Sequence, residues 1–92
     1  MITETQRKLL AQMRKTARRA AYARLHGRMD EARKLDIGIE WLYEQGKRLR
    51  LREGALMHAE EKGRQEGGRH HTRERLQGKQ PLLRDRRRRS RR

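Results

Sequence analysis

Between Thr3 and His26 the residues Leu9, Leu10, Met13, Ala17, Ala20, Ala21 and Leu25 return at steps of three and four, the spacing that puts side chains on one face of an α-helix. Thr3 and Gln6 have the spacing of a capping box, in which two side-chain oxygens accept from backbone N–H groups that a helix start leaves unpaired. Gly27 suits the left-handed position that stops a helix. The pattern predicts a first helix over about residues 4–26.

A second stripe resumes at once. Asp30 and Glu31 place negative charge where a helix N-terminus favours it, and Asp30 can pair with Lys34 one turn on. Ala32, Leu35, Ile39, Leu42, Gly46 and Leu49 then alternate steps of three and four, the heptad spacing of coiled-coil-like packing. This predicts a second helix over about 30–51. Ala55, Leu56, Met57 and Ala59, after Gly54, predict a short third helix over 54–62. From Gly63 onward, Gly67, Gly68, Gly78 and Pro81 interrupt any period, and the chain closes on Arg-Asp-Arg-Arg-Arg-Arg-Ser-Arg-Arg, which reads as a flexible basic arm. The expected fold is all-α: an antiparallel helical hairpin with a short third helix in a domain over 1–62, and a flexible Arg-rich C-terminal arm over 63–92. Small residues in the stripes (Ala17, Ala20, Ala21, Gly46) let two backbones approach closely. Two helices alone are marginal, so a homodimer, a third helix or docking on a larger assembly is expected to complete the core.

Composition narrows this picture. Of 92 residues, 32% are hydrophobic and 42% charged, and Phe, Val and Cys are absent, so any core is thin. Without cysteine there are no disulfides, no thiolate chemistry and no cysteine zinc site. No run approaches the roughly 18 apolar residues of a membrane span, and Met1-Ile2-Thr3-Glu4 lacks the apolar start of a secretory signal. A soluble, cytoplasmic protein without a membrane partner is expected.

Charge says most about partners. The net charge is +15, and a surface so basic collects polyanions. Its layout is uneven: residues 1–26 carry +6, 28–53 carry +1, 54–68 carry −1 and 69–92 carry +9. In the first helix Arg7, Arg14 and Arg18, with Lys8, Lys15 and Arg19 beside them, form a broad face whose only nearby acid is Glu4, whereas the second helix mixes signs as in Glu44 and Arg48. In the tail, Arg84, Arg86, Arg87, Arg88, Arg89, Arg91 and Arg92 supply forked donors that match phosphate oxygens two at a time. If about eight side chains each neutralise a phosphate, affinity for duplex DNA falls with salt with a log–log slope on the order of −6 to −7. Asn is absent and aromatic residues are 3% of the chain, so base readout and the stacking platforms of known RNA-binding folds are not expected.

Other chemistries fit less well. Ala23 and Gly27 have the offset of a helix-turn-helix, but downstream packing positions fall on Arg33 and Asp36, which argues against a repressor of that type. Ile37 and Trp41 lie one turn apart off the main stripe, with Tyr43 at its border. This strip is either core in a dimer or three-helix arrangement, or a protein-binding surface. His26, His58, His70 and His71 lack the four convergent ligands of a tetrahedral metal site, even with Glu61 one turn from His58. Ser90 is the only serine, sits among arginines, and no Gly-rich loop precedes a helix, so no enzyme, cofactor or metal is expected. The leading expectation is a small nucleic-acid-binding accessory protein, for RNA or DNA, that contacts backbone phosphate. The alternatives are a helical adaptor or inhibitor of the host-takeover type, and a structural component of a virion or ribonucleoprotein particle.

Overall fold

The computed structural model describes the backbone of residues 2–90 and the side chains of residues 2–72. The chain is all-α, with three helices, α1 (Glu4–Leu25), α2 (Met29–Arg48) and α3 (Glu53–Ser90), and no strand among the described residues.

The start of α1 is the capping box that the sequence encodes. Gln6 N donates to Thr3 Oγ1 at 3.1 Å, and Thr3 N donates to Gln6 Oε1 at 2.9 Å. Such a cap contributes about 1 kcal/mol. The helix ends as Gly27 turns left-handed, at φ +74°, while Gly27 N and Arg28 N donate back to Arg24 O and Ala23 O. That pair of bonds is a Schellman stop, which satisfies carbonyls otherwise left open at a helix end.

The other two helices depart from the expected bounds. The second was expected to reach about Leu51 but stops at Arg48. The cause is a second Schellman stop: Arg50 takes φ 62°, Arg50 N donates to Lys47 O and Leu51 N donates to Gly46 O. An arginine in the left-handed region gives no sequence signal of a stop, since glycine is the residue suited to it. The bend turns Leu51 back against the core.

The third helix was expected to end at Lys62, where a flexible arm would begin. Instead Gly63, Gly67 and Gly68 lie inside α3, so the boundary drawn at Lys62 falls within a helix. Two of those glycines are contact points. A Cβ on Gly63 would overlap the Arg14 carbonyl oxygen and approach Ala17 Cβ to 2.9 Å, and one on Gly67 would overlap the Arg18 carbonyl oxygen and approach Ala21 Cβ to 3.0 Å. Glycine is needed here because the two backbones nearly touch, and α1 answers with alanines. The tail arginines Arg84, Arg86, Arg87, Arg88, Arg89, Arg91 and Arg92 lie outside the described side chains.

The contacts climb both helices together: Arg14 and Ala17 meet Gly63, Arg18 and Ala21 meet Gly67, and Tyr22 and His26 meet His70 and His71. Thus α1 and α3 run in the same direction. On the other side of α1, Gln6 Nε2 donates to Leu49 O at 2.6 Å and Arg24 pairs with Asp36 at 2.5 Å. The core is Met13, Ala17, Ala20, Ile39, Leu42, Leu56 and Ala59, with Leu9, Leu10, Leu35, Tyr43 and Leu51 packed around it. Gly46 admits Leu56, whose Cδ2 would lie 2.7 Å from any Cβ there. Most interhelical contact involves α1, and α2 meets α3 along a shorter seam. Ile37 and Trp41 face away from all of this, 65% and 59% exposed, so the three-helix arrangement does not make them core. No helix among the described residues is long and apolar enough to cross a membrane.

Candidate nucleic-acid interface

The face of α1 opposite its buried stripe (Met13, Thr16, Ala17, Ala20, Ala23) carries Arg7, Lys8, Arg14, Lys15, Arg18 and Arg19, all exposed. A helix repeats its faces every three to four residues, so burying the alanines forces these cations outward together. They do not remain equivalent. Arg14 makes a two-pronged bond to Glu66 of α3, with Nε donating to Oε1 at 2.9 Å and a second nitrogen donating to Oε2. That hydrogen bond, reinforced by charge, holds the Arg14 guanidinium above its ordinary pKa and Glu66 below the usual carboxylate range, with Arg18 and Arg69 adding to the pull on Glu66. Arg14 is therefore largely engaged in joining α1 to α3. Arg7, Lys8, Lys15, Arg18 and Arg19 make no ion pair among the described residues.

The parallel packing of α3 on α1 adds what the sequence does not show. Where α1 ends, the turn brings Arg28, α2 brings Glu31 and α3 brings Arg69 and His70 around Arg18, Arg19 and Tyr22. Together with Glu66 they line a cleft of about 790 Å³, within the roughly 300–1,000 Å³ of small-molecule sites. Four of these groups are guanidiniums, on Arg18, Arg19, Arg28 and Arg69, and none of the four makes an ion pair among the described residues.

Tyr22 is the centre of a ring cluster at this end of the molecule. Its ring centroid lies 4.2 Å from that of His26 and 5.2 Å from that of His70, both tilted by just over 40°. His71 meets His26 edge-on at 4.7 Å and Tyr22 at 6.3 Å. His71 Nδ1 is buried without a hydrogen-bond partner among the described residues. No three His, Asp or Glu side chains among the described residues converge to hold a metal ion.

The chain matches no family model, no curated protein and no solved structure. What the site does therefore rests on its own chemistry: unpaired guanidiniums offer forked donors to phosphate oxygens, and the rings offer π-faces. Of the cleft residues, only Arg18 and Arg19 stand out in the sequence as a basic face. Tyr22 and His26 are one turn apart and His70 and His71 adjacent, so the clue to a ring cluster is present, but its meaning depends on a pairing across about fifty residues.

The surface expected to bind protein lies elsewhere. Ile37 and Trp41 form an exposed strip bordered by Glu40, Glu44, Lys47 and Glu53. Tyr43, read with them, is half-buried and packs against the core, and its hydroxyl donates to Glu60 Oε1 at 2.5 Å. Burial first, and then that bond and the charges of Glu60 and Glu53, push the phenol well above its ordinary pKa. Glu60 and Asp36 both hold Arg64, which ties α2 to α3 by a small network.

Proposed function

We propose that this chain is a small nucleic-acid-binding accessory protein, in which a hairpin of α1 and α2 braced by α3 presents a basic face to backbone phosphates. The observation that carries this reading is the set of Arg18, Arg19, Arg28 and Arg69 around one cleft, where they outnumber the carboxylates Glu31 and Glu66 and make no direct ion pair among the described residues. A basic surface kept only for solubility tends to mix signs and form short-range pairs, as α2 does with Asp30 and Arg33 or Glu44 and Lys47. Here the cations are concentrated and the pairing is sparse. The Arg-rich tail extends the same chemistry, with forked guanidiniums that match phosphate oxygens two at a time.

The test is binding of RNA and duplex DNA across a salt series, for the parent chain and for Arg18→Gln/Arg69→Gln. The parent should show a steep log–log dependence, and losing two phosphate contacts should make that slope shallower by about 2. A slope near zero, or an unaltered slope in the variant, would refute the reading.

A second reading is a helical adaptor or inhibitor that docks on a protein target through Ile37 and Trp41. Their exposure, 65% and 59%, favours it, because an exposed Trp beside an Ile is a common anchor of protein interfaces. Under this reading Trp41→Ala removes partner capture and leaves phosphate binding intact.

A further inference from the structure

We infer that the arginine-lined cleft at the end of α1 seats an unstacked nucleobase against Tyr22 and His70, so that the protein prefers single-stranded nucleic acid to duplex. This inference rests on the phosphate-binding reading above and adds to it the form of the polymer.

Three features of the cleft point the same way. The first is shape. A duplex offers its phosphates on a convex rod with the bases turned inward, and a concave site of about 790 Å³ meets such a rod only at its rim. A single strand can turn one base into the hollow. The second is the wall. Tyr22 and His70 both line the cleft, with ring centroids 5.2 Å apart, and such rings are platforms for splayed-out bases. His26, tilted against Tyr22 at a centroid distance of 4.2 Å, and His71, edge-on at 6.3 Å, crowd the ring and limit its freedom to turn before a base arrives. Around these rings stand Arg18, Arg19, Arg28 and Arg69, placed to hold the phosphates on either side of a seated base, and guanidinium planes themselves stack on bases.

The third feature is Glu31. It lines the cleft and makes no ion pair among the described residues. A carboxylate repels phosphate, so a cleft built for phosphate alone is weakened by having one. A carboxylate accepts hydrogen bonds, and a base amino group or a ribose hydroxyl can donate them. Guanidiniums, rings and a carboxylate acceptor in one hollow together match phosphate, base face and base or sugar donor, which are the parts of a nucleotide.

The experiment compares four ligands of equal phosphate number at one salt concentration: oligoriboadenylate, oligodeoxyadenylate, an abasic strand with the same backbone, and a hairpin duplex. The full chain is used throughout. The two base-bearing single strands should bind about tenfold tighter than the abasic strand, the effect of stacking one base, and tighter than the duplex. The tighter of the two names RNA or DNA as the source of the strand. In Tyr22→Leu, which keeps an apolar side chain under His70 but removes the ring, the advantage of the base should vanish while affinity for the abasic strand stays as it was. A fluorescent adenine analogue placed in the strand should report stacking with the parent chain and not with the variant. Equal affinity of the parent for base-bearing and abasic strands would overturn this inference and leave phosphate binding standing. Failure to bind any of the four would overturn the phosphate reading itself. A full base advantage in a Tyr22→Leu chain of unchanged helicity would remove the assigned platform.

Discussion

Replacing Gly63 by alanine tests the α1–α3 seam most directly. In isolation the change favours a helix by about 1 kcal/mol, since glycine is the more flexible residue in the unfolded chain. In place, the new Cβ would lie 2.9 Å from Ala17 Cβ, about 1 Å inside the usual 3.5–4.0 Å carbon contact. It would also overlap the Arg14 carbonyl oxygen, a backbone atom that no rotamer change can move. Relief requires α3 to back away from α1, which loosens the contacts of Gly67 and the Arg14–Glu66 bond further along. Overpacking costs about 1–3 kcal/mol, and a clash with backbone belongs at the upper end. The net loss is about 2 kcal/mol, a fall in Tm of roughly 8–16 °C for a chain of this size. Gly68 is the internal control. Five residues on in the same helix, it would meet nothing within 4 Å, so Gly68→Ala should gain about 1 kcal/mol and raise Tm by roughly 4–8 °C. Thermal unfolding followed by far-ultraviolet circular dichroism reads both. A stabilising Gly63→Ala, equal to Gly68→Ala, would mean that the two backbones do not meet.

Three further outcomes follow from the same geometry. Arg50→Gly should stabilise the chain by about 1 kcal/mol, because Arg50 holds a left-handed backbone at φ 62° that glycine adopts freely; a lower denaturation midpoint would show that the Arg50 side chain matters more than its backbone. Glu66 titrates below the ordinary value of 4.5, so the Arg14 pair is intact at neutral pH and its contribution is lost as pH falls through the lowered value; Glu66→Gln should therefore show a smaller drop in Tm on acidification than the parent, and an equal drop would refute the assignment. Tyr43 is displaced the other way, upward from 10, so its contribution is present below that value and lost as pH rises through the raised one; Tyr43→Phe should flatten the alkaline side of the Tm–pH curve, and an unchanged alkaline limb would count against the Tyr43–Glu60 bond.

The elements that were legible in the sequence are those whose signals are local. The capping box needs only Thr3 and Gln6, the first stop needs only Gly27, and the buried positions of α2 follow from a period within one helix. What was not legible depends on partners far along the chain. Gly63 and Gly67 look like helix breakers until Ala17 and Ala21 are set opposite them, and only then does their four-residue spacing become the mark of a close crossing. Arg14 looks like a free cation until Glu66, 52 residues away, is placed beside it. The end of α2 was hidden because Arg50 occupies a conformation that its residue type does not advertise. The basic face of α1 was visible as a pattern, but the cleft was not, since Arg28 and Glu31 reach it through the turn into α2, and Arg69 and His70 only through the parallel packing of α3 on α1.

That packing has a consequence for the newly made chain. The alanine ridge of α1 is made before α3, and its counterpart around Gly63 and Gly67 is translated some 46 residues later. In the interval α2 can cover one flank of α1, while the other stands bare in a crowded cell. During that interval a basic helix with a bare alanine face is within reach of any polyanion or chaperone nearby.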